Sequence, residues 1–591
     1  MKTKRKQVLF LTLFAAMFIG GLIGVRSTPL SVDKQFNKFV TTSDGVKICY
    51  DVFEPRNNES SNKKAVILGH GVMVNKEVMR MIALELAKHN FVAVSFDFRG
   101  HGRSGGDFNF IAEDFDLDAI DHESGVSTSG FTSDEKLARD IAAVKEYYLG
   151  ARGDIDMSDI GYVGYSMGGG AGFYACSQDN DFGAMVGLCP SPVYDYVNIT
   201  HPKNLCVLHS KYDEAIDYGS ILRVMENKTG VAAEQIAANI TEDPVWEFDE
   251  GSFTDGSAAR LYYNKYQEHF LAGWDAQYIR ETRNWMLRAL QGYNIEELPE
   301  GTIYPGMAIS FAVQLIGIIG MIILGLYLVI PRISEGVERT DEPLIPPEIV
   351  QEQGYRGIIL KAGVFIAVFS FPSMLLFLPF LLGHLVVTGF QLMLMFGPSF
   401  AVWLYMRWLL KKKLNHKHPM KALYKRMFGL TSRRNILIGF CLGFLIYGGV
   451  QLTFGYFFSI MPSAFDWLWV PFYLVPTVFI YSNFILFFQS LMQEKFIKSK
   501  GNTVLKSILN NFGINCLLSA FILFVPSLLL GNYFLAMFII AVSGLHLISS
   551  VTATASYNAT KDVFMVTLIT SIVPCLMFAT LSPIINILLF F

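Results

Sequence analysis

The sequence predicts two fold classes in one chain: an α/β domain on a mostly parallel sheet with helices on both faces, then an all-α polytopic transmembrane domain. Three observations carry this. Between residues 37 and 292, short apolar runs alternate with amphipathic stretches, the pattern of a parallel sheet covered on both sides. From residue 306 onward the apolar runs exceed the ~18 residues a helix needs to cross a bilayer. The 591 residues exceed one ordinary core, and the 52% hydrophobic content and mean hydropathy of +0.36 concentrate in the second half.

The elements follow in order. Residues 1–6 are basic and residues 7–25 apolar, so residues 1–26 read as a signal anchor or signal peptide. The length of the run, and the lack of a small-x-small site before Arg26, favour the anchor. Residues 27–300 then form the extracytoplasmic domain. Residues 38–42 and 46–53, joined at Asp44-Gly45, predict a β-hairpin. Strands are expected at 65–69, 92–97, 160–165, 184–189, 205–209 and 259–263, the last closing the series. Helices are expected at 77–88, after a capping box at Thr132 and Glu135, and at 274–291. In such a sheet, ligands sit at the carboxyl ends of the strands.

The most informative stretch is Gly164-Tyr165-Ser166-Met167-Gly168. An apolar run precedes it, and a helix start of small residues follows. A serine on so sharp a strand-to-helix turn is strained, and glycines two positions either side avoid side-chain collisions. The turn lifts the hydroxyl clear of the sheet, where a histidine can take its proton.

Further motifs accompany it: His70-Gly71 after a strand, Phe-Asp-Phe-Arg-Gly-His-Gly-Arg-Ser at 96–104, and His-Ser-Lys-Tyr-Asp-Glu at 209–214. Together these make residues 37–292 resemble the α/β-hydrolase fold, in particular serine hydrolases of the monoglyceride-lipase and serine-aminopeptidase type. The resemblance implies a triad in the chain order serine, acid, histidine. Ser166 would be the nucleophile. Asp213 would be the acid, with Asp217 as the alternative. His269 would be the general base, as the one histidine between that acid and the membrane region. His209 ends a strand and His201 precedes the acid, which places both outside the triad. The oxyanion hole would use the backbone N–H groups of Val72 and Met167. The resemblance further implies an acyl ester or thioester substrate, with peptidase or amidase activity as an alternative.

Other features imply less chemistry. The net charge of −3 gives no argument for a nucleic-acid partner. Seven cysteines without a C-x-x-C indicate neither a metal site nor a disulfide framework, and Cys49, Cys176, Cys189 and Cys206 are expected as buried thiols. No metal or organic cofactor is implied; the expected partner is a small-molecule or lipid acyl substrate. Arg99 to Ser104 reads as a structural turn. The acids from Glu113 to Glu123 lack a calcium-loop pattern and read as a solvated loop or lid rim. Only about 15 residues separate the strands near Cys189 and Cys206, so a full cap does not fit there by the strand-to-strand lengths of such folds. The long segment 214–268, with a helix near 232–239, is expected to form the rim or lid instead. Asn58, Asn198, Asn227 and Asn239 begin sequons on the outer side.

Residues 301–591 predict eight spans, near 306–330, 358–382, 384–409, 435–461, 467–491, 508–530, 533–553 and 563–590. Residues 411–434 carry nine Lys or Arg, whereas the turns near Gly383, residues 462–466 and Gly531-Asn532 carry none. The positive-inside rule then puts the basic loops in the cytoplasm and residues 27–300 outside, in an integral protein of the plasma membrane. The polar residues of the spans, among them Gln314, Gln391, Gln451, Asn483, Asn510, Asn515 and His546, are expected to bond between helices. Eight spans exceed what anchoring needs. A transport or signalling protein whose outer domain is a non-catalytic sensor is therefore the second reading.

Overall fold

The computed structural model describes residues 2–106, 108, 134–213, 215–238, 245–333, 344–345, 354–374, 386–414, 418–463, 466–497, 504–530 and 534–581. The acidic stretch, Thr132, Asn239 and the turns near Gly383 and Gly531 lie outside them. The chain divides into two compact units. The first to consider contains Gly24–Ile309 and the short segment Gly455–Ser459; the other contains Met1–Ile23, Ser310–Phe454 and Ile460–Thr580.

In the α/β unit nine strands form one sheet. They are β1 (Val32–Thr41), β2 (Lys47–Pro55), β3 (Ala65–Gly69), β4 (Val92–Phe96), β5 (Ile160–Tyr165), β6 (Phe182–Leu188), β7 (Leu205–Tyr212), β8 (Val245–Glu250) and β9 (Ala259–Glu268). The order is β1-β2-β4-β3-β5-β6-β7-β9-β8. The run from β4 to β9 is parallel, while β1, β2 and β8 pair antiparallel at the two edges. Every residue of β3, β4, β5 and β6 is buried, which explains their near-continuous apolar sequences.

α1 (Lys2–Ser27) belongs mainly to the other unit; the helices of this one are, in chain order, α2 (Arg80–Lys88), α3 (Asp134–Ala143), α4 (Met167–Gln178), α5 (Tyr218–Thr229), α6 (Ala233–Ala238) and α7 (Ala276–Gln291). α2 packs on α7, and α3 packs on α4. α7 shows why such a segment is helical. Asp275 caps its start by accepting from the N–H groups of Gln277 and Tyr278, and Gly292, at φ 72°, ends it. Tyr278, Ile279, Trp285, Met286 and Leu290 form its buried stripe.

Four sequence expectations need correction. The opening hairpin is longer than 38–53, because polar residues of β1 pair through an irregular register between Gln35 and Lys38 that alternation does not reveal. The helix expected at 77–88 begins as a 3₁₀ turn, Lys76–Met79. The segment 214–268 is not simply a rim: it holds α5, α6 and an unforeseen strand, β8, which pairs with β9 from Val245 to Glu250. β9 is also longer than expected, running to Glu268, one residue short of His269.

The second unit is helical. Its elements are the body of α1, α8 (Tyr304–Ile333, from Ser310 on), α9 (Gly354–Met374), α10 (Val386–Leu414), α11 (Pro419–Leu430), α12 (Arg433–Phe454), α13 (Asp466–Ile485, continuing as a π-helix over Leu486–Ile497), α14 (Val504–Leu530), α15 (Phe534–Thr560) and α16 (Val563–Leu581). Five helices among the described residues are long and apolar enough to cross a membrane: Arg5–Ser27, Tyr304–Val329, Arg433–Phe454, Val470–Gln493 and Val563–Thr580. α11 was not foreseen; it lies in the basic stretch and buries only Pro419, Met420, Leu423 and Met427. α12 stops at Phe454, short of residue 461.

Candidate active site

The candidate site is assembled from four strand ends. β5 delivers Ser166. The serine has φ 51° and ψ −117° and serves as N-cap of α4, a left-handed conformation a non-glycine residue holds only under outside constraint. Its N–H donates to Leu188 O at 3.0 Å. The flanking glycines have the expected reason. A Cβ on Gly164 would lie 2.4 Å from Gly168 O, and one on Gly168 would lie 2.6 Å from Gly69 O.

β7 delivers Asp213 and β9 delivers His269. His269 Nδ1 lies 2.9 Å from Asp213 Oδ2, and its Nε2 lies 3.1 Å from Ser166 Oγ. The carboxylate holds the proton on Nδ1 and leaves Nε2 free to accept the serine hydrogen. Asp213 Oδ1 accepts from the N–H groups of Ala215 and Ile216 at 3.1 and 2.9 Å, so both its oxygens are engaged. Burial pushes the Asp213 carboxyl up. The charge and hydrogen bond of His269, with His209 and the Cys189 thiol, outweigh that and hold it below its ordinary value. Asp217 has a different job: it caps α5, accepting from Ser220 N.

The other histidines separate in the same way. His209 Nδ1 is 3.8 Å from Asp213 Oδ2, too long for a hydrogen bond, and burial lowers its pKa. The His201 ring bonds Asn180 and Thr200 at the surface.

β3 delivers the turn that carries Val72. Gly71 packs against the nucleophile so closely that a Cβ there would lie 3.0 Å from Ser166 Cβ. Val72 follows it, and Met167 opens α4 directly after Ser166. His70 does not face the hydroxyl. Its Nε2 accepts from Phe98 N at 3.0 Å, and burial lowers its pKa to about 4, so it is a neutral tie between β3 and the 96–104 motif. Within that motif, Arg99 donates to Asp140 and Asp44, and Ser104 bonds Asp97 O and Cys49 N. This is framework, as the sequence suggested.

Four supporting residues escaped sequence reasoning. Tyr165 donates its hydroxyl to His269 O at 3.1 Å, and its ring centroid lies 5.4 Å from the imidazole. Glu268 accepts from Phe270 and Leu271 N–H at 2.8 and 2.7 Å, fixing the turn that aims His269. Cys189, at φ 43°, places its sulfur 3.4 Å from Ser210 Oγ, which lies 2.6 Å from Tyr278 OH. Adjacency to Ser166 and His269 was the available signal for Tyr165 and Glu268; Cys189 and Ser210 had none. The four early cysteines are buried, as expected.

Among the described residues one set has the spacing of metal ligands: Cys189, Asp213 and His269, with ligand atoms within 4.8 Å of one another. These atoms are engaged within the site itself: the imidazole bonds Asp213 and Ser166, and burial raises the Cys189 thiol well above its ordinary pKa.

Residues 60–210 match a family model described as serine aminopeptidase, S33. The fold is that of an α/β-hydrolase. An esterase of Pyrococcus furiosus aligns at 17% identity and TM-score 0.32, covering 45% of this chain and 96% of that one. An enzyme of Butyrivibrio proteoclasticus solved with ferulic acid aligns at 17% and 0.30, over 43% and 99%. A dienelactone hydrolase of Anabaena variabilis aligns at 15% and 0.28, over 44% and 99%. No curated protein matches the chain. The family match spans β3 to β7 of the hydrolase unit, and so includes Ser166 but neither Asp213 nor His269.

Proposed function

We propose that this protein is a membrane-bound serine hydrolase that cleaves an acyl ester or thioester through Ser166, His269 and Asp213. The observation that carries the reading is the continuous relay of 2.9 and 3.1 Å from carboxylate to imidazole to hydroxyl. His269 Nε2 takes the Ser166 proton as Oγ attacks the acyl carbonyl. The oxyanion of the tetrahedral intermediate is met by the N–H groups of Val72 and Met167. His269 then returns the proton to the leaving group, and the acyl-enzyme forms. Water, deprotonated by the same imidazole, resolves it. Asp213 stays ionised throughout and stabilises the imidazolium. Loss of one oxyanion donor costs ~2.7–4 kcal/mol in comparable sites.

The apolar helices support insertion in a membrane, and the basic loops support a cytoplasmic placement for 411–434 with the hydrolase unit, residues 27–300, outside. Residues 1–26 then serve as an anchor and residues 301–591 as the transmembrane domain. The test is labelling of the full-length protein with a fluorophosphonate, followed by a panel of acyl esters, thioesters and aminoacyl amides. The expected result is labelling of wild type, none of Ser166→Ala, and turnover of esters above amides. Faster turnover of the amides would replace the esterase reading by a peptidase one. A wild-type protein that neither labels nor turns over any member would leave the sensor reading.

A further inference from the structure

We infer that the segment Gly455–Ser459 is a positioning element for the oxyanion turn, acting through Asn75 and Arg80; the inference rests on the reading of Ser166 as nucleophile and Val72 as oxyanion donor. The segment belongs to the hydrolase unit although it lies far beyond it in sequence. Two of its carbonyls are held by side chains on either side of Lys76. Asn75 Nδ2 donates to Ser459 O at 2.8 Å, and Arg80 Nη1 donates to Tyr456 O. The Arg80 guanidinium also lies 4.6 Å from the centroid of the Tyr456 ring and 4.9 Å from that of Phe36. Phe458 meets Trp274 edge-on at 6.4 Å. Asn75 stands three residues after Val72, and Trp274 five after His269. One short segment therefore touches both the turn with the oxyanion donor and the turn with the general base.

The reason such a clamp is needed lies in the backbone. Met73, directly after Val72, has φ 62°. A non-glycine residue keeps that conformation only where its surroundings impose it. One face of the turn is fixed by a buried charge cluster. Lys76 Nζ lies 3.1 Å from Asp97 Oδ2 and 3.2 Å from Glu77 Oε1, and Lys76 N donates to Asp97 Oδ1 at 2.8 Å. Arg80 Nη2 reaches Asp51 Oδ2 at 2.5 Å, which ties the cluster to β2. The other clamp is Gly455–Ser459. Arg80 joins the two, and Asn75 supplies a second hold nearer the donor.

The experiment uses the full chain in detergent or nanodiscs, with ester turnover expressed per fluorophosphonate-titrated site. Tyr456→Ala and Asn75→Ala should each lower kcat by about 10-fold with KM changed less than about 2-fold, the signature of a misplaced transition-state contact. Tyr456→Phe should restore the rate, because the ring and carbonyl remain and Tyr456 OH has no hydrogen-bond partner among the described residues. The double variant should fall by less than the product of the two, since both act on one turn. A loss of melting temperature or of titratable sites with an unchanged rate per site would overturn the inference while leaving the Ser166 reading intact. Failure of wild type to label would remove both.

Discussion

The two units bury polar groups of different kinds. In the hydrolase unit the buried polar residues include full charges, each with partners: Lys76 with Asp97 and Glu77, Arg80 with Asp51, Arg99 with Asp140, and Arg283 with Glu85. In the helical unit they are amides and hydroxyls. Asn483 donates to Ser399 and accepts from Tyr424, Asn511 donates to Thr554, and Gln314 donates to Leu452 O. Asp466, at the first position of α13, is the charged residue buried there among the described residues. A soluble core can hold ions if they are paired, because water at its edge and fixed dipoles share the cost. Apolar helices in lipid have no such help, so neutral groups bond between helices. The α/β unit therefore buries paired charges, and the helical unit buries neutral groups that bond between helices.

That contrast can be broken most severely at the reaction centre. Ser166→Ala should lower ester turnover by about 10⁴-fold or more with no loss of fold, read by kinetics beside a melting curve. Next comes the charge pairing. Arg283 is fully buried, donates to Glu85 Oε1 at 2.9 Å, and shares Glu85 with Ile303 N at 2.8 Å. Arg283→Met should cost about 3–5 kcal/mol, because it leaves the buried Glu85 carboxylate only His89 and the Ile303 N–H and takes the donor from the Gly301 and Pro299 carbonyls; a melting point within a few degrees of wild type would contradict this.

The third effect is acid sensitivity. Burial lowers His70 from 6.5 to about 4, so the unfolded chain takes up the proton first as pH falls. Stability is then intact above about 6.5 and declines by ~3 kcal/mol on approach to pH 4. Thermal unfolding at pH 7.5, 5.5 and 4.5 should show the decline, and His70→Gln should reduce it without abolishing it, because burial lowers the neighbouring His101 to about 3 as well. The smallest change is expected in the helical unit. Asn483→Leu removes two bonds between helices, to Ser399 and from Tyr424, and should cost only about 0.6–2 kcal/mol for each, without changing the rate per labelled site. A large loss of turnover there would mean that the helical unit does more than hold helices.

The amino-acid sequence by itself determined which local elements form and where the nucleophile sits. Apolar runs at strand length read as strands, apolar runs at membrane length read as helices, and the turn from Gly164 to Gly168 reads as needing small residues at both ends, although what a Cβ on Gly168 would strike is the distant end of β3 at Gly69. The order of Asp213 and His269 came through resemblance to serine hydrolases, and the structure brings the two beside Ser166. Tertiary structure alone decided what supports them. β8 is a six-residue, acidic edge strand that sequence reasoning passed over, and its place is beside β9. Cys189 reaches Ser210 and Asp213 only because β6 and β7 are neighbours in the sheet. Arg80 meets Tyr456 across most of the chain. Local sterics and hydrophobic period act within a few residues and are written there; hydrogen bonds between distant segments depend on which strands adjoin, and that order is set only when the whole core closes.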